Sequence, residues 1–64
     1  MYIYYEVYER DTDRIEIWEW TEDYINRAKC KLIKTYKRKS AAKKWAERQW
    51  REVRWHGEEE ENFC

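Results

Sequence analysis

Few side chains in this sequence could perform catalysis. Serine and histidine occur once each, as Ser40 and His56. Nucleophilic catalysis needs a nucleophile, a base and a group that orients the base, and the chain carries no recognisable set of this kind. Ser40 instead suits the N-cap of a helix, and His56 suits a cation near the end of that helix. We therefore expect a protein that is not an enzyme.

Metal and cofactor chemistry is equally sparse. Cys30, His56 and Cys64 include no closely spaced pair of zinc ligands, and a single glycine cannot build a phosphate-binding loop. We expect neither a metal nor a cofactor. Small secreted domains usually carry two or more disulfides, so a chain with two cysteines favours reduced thiols and a cytoplasmic location.

Length and composition limit the fold. A chain of 64 residues makes one small domain, and its aromatic fraction of 19% is too high for a disordered, charged chain. No apolar run approaches the length of a membrane span, so we expect no membrane partner. We predict one domain over residues 1–57, followed by an acidic mobile tail over residues 58–64.

The charges are segregated along the chain although they sum to zero. Acidic side chains dominate residues 1–26 and 58–61, whereas basic side chains dominate residues 27–54. This pattern predicts either a surface that faces a polyanion or an acidic strand that neutralises a basic one beside it. The candidate basic surface comprises Lys29, Lys31, Lys37, Arg38, Lys39, Lys43, Lys44, Arg48, Arg51 and Arg54.

The first third of the chain predicts a β-hairpin. β-forming residues alternate over residues 2–10 and again over residues 14–21, on either side of the turn-forming residues 11–13. A three-residue loop would pair Val7 with Ile17, Tyr4 with Trp20, and Arg10 with Arg14.

The predicted hairpin has two different faces. The natural core side collects Ile3, Tyr5, Val7, Ile15 and Ile17. The other side carries Glu6, Glu16 and several aromatic residues, which one helix cannot cover as well. We expect four of these to anchor a protein partner: Tyr4, Tyr8, Trp18 and Trp20. A second copy of the chain, forming a homodimer, would be another way to cover them.

Residues 40–55 predict an α-helix. Ser40 is the expected N-cap, and Gly57 lies where a helix needs a left-handed residue after its end. Helical spacing places these side chains on one stripe: Ala42, Trp45, Ala46, Trp50 and Val53.

Residues 22–39 fit either a strand or a helix. β-branched residues lie within the run, and an isolated hairpin is only marginally stable, which favours a third strand over residues 28–37. The expected fold class is α+β: a three-stranded antiparallel sheet (ββ-loop-βα) with one C-terminal helix packed on one face.

The junction between the third strand and the helix resembles a known arrangement. It reads Lys34-Thr35-Tyr36-Lys37, followed by Ser40-Ala41-Ala42-Lys43-Lys44-Trp45-Ala46. This pattern is similar to the strand-to-helix junction of small phage and mobile-element proteins, including the arm-type DNA-binding domain of tyrosine integrases. In size and plainness of fold the chain also resembles anti-CRISPR-like inhibitors. The resemblance implies a helix packed on three antiparallel strands.

From these observations we expect a non-enzymatic, phage-type protein that acts stoichiometrically on a host nucleic-acid-handling or defence complex. The aromatic anchors would make the protein–protein contact, and the basic helix face would steer it. Two alternatives stay open. One is a DNA- or RNA-binding module that uses the basic third strand and helix. The other is a designed miniprotein without a function.

Overall fold

Four strands and one helix build the part of the chain that the structure describes. The computed structural model describes residues 2–23 and 28–56. Its elements are β1 (Tyr2–Asp11), β2 (Arg14–Glu22), β3 (Ala28–Tyr36), α1 (Lys39–Glu47) and β4 (Val53–His56). The strands form one sheet in the order β3-β2-β1-β4. The fold is therefore α+β, as predicted, but the sheet is mixed and has four strands.

The hairpin of β1 and β2 has the predicted register except at its turn. Val7 lies opposite Ile17, and Tyr4 lies opposite Trp20. The predicted pairing of Arg10 with Arg14 is wrong, because the ladder is irregular between Glu9 and Asp11 and places Asp11 opposite Arg14. The irregularity leaves Arg10 outside the ladder.

The third strand is confirmed. β3 runs antiparallel to β2, from Ala28 opposite Glu22 to Tyr36 opposite Ile15. Its register shifts next to Trp18, since Trp18 faces Leu32 while the preceding residue of β2 faces Lys34. The extra residue on β3 makes a β-bulge, which divides the strand into two shorter ladders.

The helix is shorter than predicted. Its N-cap is Arg38, which makes no side-chain capping hydrogen bond, so the prediction of Ser40 as N-cap is wrong. At the other end, the Gln49 side chain donates a hydrogen bond of 3.1 Å to the carbonyl of Trp45. Because this bond satisfies a carbonyl that a longer helix would use internally, it favours the end of α1 at Glu47.

The end of the predicted helix is instead a fourth strand. β4 pairs in parallel with β1, with Val53 opposite Tyr5 and His56 opposite Tyr8. The backbone N–H of Tyr5 also donates to the carbonyl of Glu52 at 2.9 Å. Without β4, the outer edge of β1 would leave its backbone groups unpaired within the sheet, and this long-range pairing outweighs the local helical pattern. The prediction of His56 in a last helical turn is therefore wrong.

The core lies between the sheet and α1. It consists of the fully buried Val7, Ile17 and Ala42 together with Ile15, which confirms the predicted core side of the hairpin. The aromatic rings of Tyr36, Trp45 and Trp55 and the side chain of Val53 pack around it. Trp50, which helical spacing placed on the core stripe, lies beyond the end of α1 and is 84% exposed.

The remaining predictions concern the cysteines, the chain end, the membrane and the location of the protein. Cys30 is disulfide-bonded, so the prediction of reduced thiols is wrong at this position; two cysteines are enough for one bridge, and a low cysteine count therefore does not exclude it. Gly57 and the predicted acidic tail over 58–64 lie outside the described residues. Within the described segments, no helix has the length and apolar character needed to cross a bilayer. The cytoplasmic location stays a prediction.

Candidate functional site

The four predicted aromatic anchors share the sheet face opposite α1, which we call the aromatic face. Tyr4 and Trp20 are cross-strand partners whose rings stack with centroids 6.3 Å apart. Tyr4 and Tyr8 are only 5% and 3% exposed, and Trp18 and Trp20 are half-buried. The structure therefore brings these residues together, but two of them offer little surface to a partner.

A buried carboxylate holds β4 against β1 on the aromatic face. Glu6 accepts a hydrogen bond from the Tyr8 hydroxyl at 2.9 Å, and its other oxygen lies 2.7 Å from Nε2 of His56. The rings of Tyr8 and His56 stack at 4.8 Å. Burial raises the pKa of Tyr8, and the hydrogen bond and negative charge of Glu6 raise it further, so the phenol stays protonated. This arrangement joins the two parallel strands through side chains.

A second buried carboxylate, Glu16, accepts hydrogen bonds from three side chains. Arg10 and Arg14 approach it at 2.9 and 2.8 Å, and the indole N–H of Trp18 donates to it at 3.0 Å. Burial opposes ionisation of Glu16, but the hydrogen bonds from Arg10, Trp18 and Arg14 outweigh it and hold the pKa below its usual value. Glu16 and both arginines thus form ion pairs with one another within the protein.

Two arginines of the predicted basic surface also make contacts with other side chains of the protein. Arg54 lies 4.2 Å from the Tyr4 ring centroid and 2.7 Å from Glu52. Hydrogen bonds from Arg54 and the Tyr2 hydroxyl lower the pKa of Glu52. Arg51 lies 4.5 Å from the ring centroid of Trp50 and donates to the Tyr5 hydroxyl at 3.3 Å. Neither arginine belongs to α1, so their predicted place on a helix face is wrong.

The remaining basic residues occupy β3, α1, the junction between these adjacent elements and the C-cap of α1, where Arg48 lies. All are exposed, and together with Lys34, which the sequence-based set omitted, we call them the basic surface. Its members are Lys29, Lys31, Lys34, Lys37, Arg38, Lys39, Lys43, Lys44 and Arg48. Among the described residues, the only ion pair that they form joins Lys39 to Glu9 at 3.6 Å.

The acidic strand β2 does not neutralise the basic strand β3 across the ladder. Only Glu19 has a lysine, Lys31, as its Cα partner. Glu16 lies opposite Thr35, and Glu22 lies opposite Ala28. The register therefore leaves most of the positive charge of β3 without an acidic cross-strand neighbour within the described sheet.

Sequence reasoning missed two exposed apolar features. Leu32 and Ile33 lie on β3 and are 41% and 37% exposed, at the bulge that the local pattern does not reveal. Trp50 lines a cleft of about 340 Å³ together with Tyr2, Ile3, Arg51 and Glu52. The helical spacing of Trp50 gave the wrong signal, since the chain leaves the helix before reaching it.

The described residues contain no group of three or more side chains suited to holding a metal ion. No family model matches the chain, and no curated protein or solved structure matches it either.

Proposed function

We propose that this chain is a non-enzymatic binding protein that acts stoichiometrically on an acidic surface of a protein partner. The observation that carries the proposal is the basic surface, where lysines and arginines from two adjacent elements lie together with a single ion pair among the described residues. Like charges held close together repel one another, and an anionic partner removes that repulsion on binding.

Exposed apolar side chains favour a protein partner over a nucleic acid. Leu32 and Ile33 are exposed between Lys31 and Lys34 along the edge strand β3, with Leu32 on the aromatic face and the two lysines on the α1 face. A phosphate backbone gains little from contact with aliphatic groups, whereas a protein interface buries such groups inside a polar rim. The formal net charge of zero also weakens long-range attraction to a nucleic acid.

This proposal places the contact on β3 and α1 instead of the four aromatic anchors. Tyr4 and Tyr8 are buried and donate hydrogen bonds to Glu22 and Glu6, so they contribute to the fold. Inhibition of a host nucleic-acid-handling or defence complex is the form of binding that the resemblance to anti-CRISPR-like proteins implies. On this proposal, the target presents an acidic patch to the basic surface.

A second candidate function is nucleic-acid binding, which one observation favours. The exposed Trp50 ring has the guanidinium of Arg51 over it, and an exposed aromatic ring next to a cation is a stacking site for single-stranded bases.

Binding to labelled poly-L-glutamate, a DNA duplex and single-stranded DNA separates the two candidates. Fluorescence anisotropy would compare the double variant Lys43→Gln/Lys44→Gln with the matched double variant Arg51→Gln/Arg54→Gln. Each variant removes two positive charges. Lys43 and Lys44 lie on α1 in the basic surface, whereas Arg51 and Arg54 lie just before and within β4, at the far end of the sheet from β3. Circular dichroism would verify that both remain folded.

We expect poly-L-glutamate to bind more tightly than either DNA and to lose affinity with added salt. Removing the two α1 charges should weaken this binding by about fivefold or more, and removing the two arginines by less than about twofold. Tighter binding to DNA would replace the proposal with the second candidate. Absence of binding to all three probes at low salt would contradict both.

A further inference from the structure

The aromatic face is more buried than the described elements explain. The helix α1 packs on the other face of the sheet, where Val7, Ile17 and Ala42 belong to the core. No described helix or strand lies over the aromatic face, yet Tyr4 and Tyr8 on it are only 5% and 3% exposed. A sheet with one face packed on a helix usually turns its other face to water. We therefore expect a further segment of chain over these rings.

The disulfide of Cys30 indicates which segment this is. Cys30 on β3 lies opposite Trp20, and Trp20 lies opposite Tyr4, so the three side chains share the aromatic face. Cys30 is disulfide-bonded, and the sequence contains one other cysteine, Cys64. A bridge between them brings the Cα atom of Cys64 to within about 7 Å of that of Cys30.

The chain between β4 and Cys64 is too short for a long detour. His56 lies level with Tyr8 on one edge of the sheet, and Cys30 lies level with Tyr4 on the other edge. Strand spacing and rise per residue put these two ends about 19 Å apart. The eight residues after His56 reach at most about 26–29 Å. A path around α1, which is about 10 Å thick, exceeds that reach, so the segment has to cross the aromatic face.

We propose that residues 58–64 dock on the aromatic face, held there by a Cys30–Cys64 disulfide, and that reduction of this bond uncovers the face. The occupant of the aromatic face is thus a segment of the same chain. A diagonal path from β4 to β3 passes over Tyr8 and Trp18, two of the residues that the sequence suggested as anchors for a partner. The inference concerns a different surface from the one in the proposed function and does not depend on it.

The side chains of the segment fit this path in sequence order. The glutamates over 58–61 come first, near the end of β1 where the guanidinium of Arg10 lies on the aromatic face. Phe63 comes last, beside the bridge, where it meets the stacked rings of Trp20 and Tyr4. An acidic group near a cation and an aromatic ring near other rings both stabilise the docked segment.

A dithiol reductant opens the aromatic face by thiol–disulfide exchange. Its first thiolate attacks one sulfur of the bridge and releases the other cysteine as a thiolate. Its second thiolate then displaces the remaining cysteine, so that the reductant leaves as a disulfide and two protein thiols are formed. Once the covalent bond is broken, the released segment regains conformational entropy and leaves the face. The aromatic residues are then accessible to a protein partner in the reduced state alone.

Two measurements on the full chain test the proposal. Mass spectrometry of tryptic peptides from the non-reduced protein identifies the partner of Cys30. Nuclear magnetic resonance follows the indole N–H signals of Trp18 and Trp20 as a soluble paramagnetic gadolinium chelate is added, before and after reduction with dithiothreitol. The indole of Trp45, which packs against the core on the other face, is the internal control.

Three variants repeat the second measurement without a reductant. Cys64→Ser removes the bridge, whereas Phe63→Ser keeps the bridge and removes the aromatic ring. Asn62→Ser is the matched control for Phe63→Ser, because it changes the neighbouring residue and leaves both the ring and the bridge in place.

We expect linked peptides containing Cys30 and Cys64 from a monomeric protein. Paramagnetic broadening of the Trp18 and Trp20 signals should rise at least about twofold on reduction and in Cys64→Ser, while that of Trp45 stays constant. A Cys30–Cys30 link between two copies would overturn the proposal, and so would broadening that reduction leaves unchanged.

Global unfolding of the bridge variant would be recognised by broadening of Trp45 as well, and Phe63→Ser then decides. Increased broadening of Trp20 in Phe63→Ser, with none in Asn62→Ser, would support docking of the segment. Equal broadening in these two variants would overturn it.

Discussion

At the scale of single residues, two glutamates on the aromatic face explain how charge is buried in so small a protein. Glu6 and Glu16 are each 8% exposed, and a buried carboxylate is tolerated only when its oxygens are hydrogen-bonded. Glu6 is hydrogen-bonded to Tyr8 and His56. Glu16 is hydrogen-bonded to Arg10, Arg14 and Trp18. The aromatic face is therefore a network of polar contacts among rings.

Replacing Glu16 by Gln should destabilise the protein by about 1–3 kcal/mol near pH 7, because the charge-assisted hydrogen bonds from the arginines are lost. The pKa of Glu16 is lowered in the folded state, so its stabilising effect is present above the ordinary value of 4.5 and is lost as the pH falls through the folded-state pKa. Urea unfolding from pH 7 to pH 3 measures the difference between the two proteins, which should shrink below pH 4.5.

The matched control is Glu19→Gln on the same strand. Glu19 faces the α1 side of the sheet and makes no ion pair with the described residues, so its replacement should change stability by less than about 0.5 kcal/mol. A Glu16→Gln protein that keeps the stability of the parent at pH 7 would show that the three donors do not stabilise the fold.

At the scale of elements, the sequence predicts the strands and turns that interactions between neighbouring residues determine. The hairpin and β3 could be predicted because alternation and turn residues act over a few neighbouring positions. β4 could not, because Val53 also continues the helical stripe that runs through Ala46 and Trp50, and only pairing with a strand about fifty residues earlier in the chain decides between strand and helix. The true helix end depends on the Gln49 side chain, which spacing alone does not reveal.

The helix start provides a direct check at this scale. Because Arg38 is the N-cap and its side chain makes no capping bond, Ser40→Ala should change the free energy of unfolding by less than about 0.5 kcal/mol, compared with about 1 kcal/mol for the loss of a serine cap. Ala42→Leu, at a fully buried position two residues later, should cost about 1–3 kcal/mol by overpacking the core. Chemical denaturation measures both, and a Ser40→Ala loss as large as the cap value would place the helix start at Ser40.

At the scale of the whole molecule, the register of the sheet explains why segregated charges do not cancel. The sequence reveals an acidic first part and a basic second part, but it does not reveal which side chains meet. In the fold, Glu6 and Glu16 turn to the aromatic face and are satisfied there, whereas β3 and α1 keep their lysines exposed. The basic half of the candidate site could therefore be predicted from composition, and the burial of Tyr4 and Tyr8 could not.

The most direct test of the account is a map of where an acidic polypeptide binds. Amide chemical shifts of the isotope-labelled protein would be followed by nuclear magnetic resonance as poly-L-glutamate is added. We expect the largest shifts in Ala28–Tyr36 and Lys39–Glu47, which carry the basic surface, and small shifts in the strands that carry the aromatic face. Shifts concentrated in Tyr2–Asp11 and Val53–His56 would contradict the account, because they would place the partner on the side of the protein where the charges are already used.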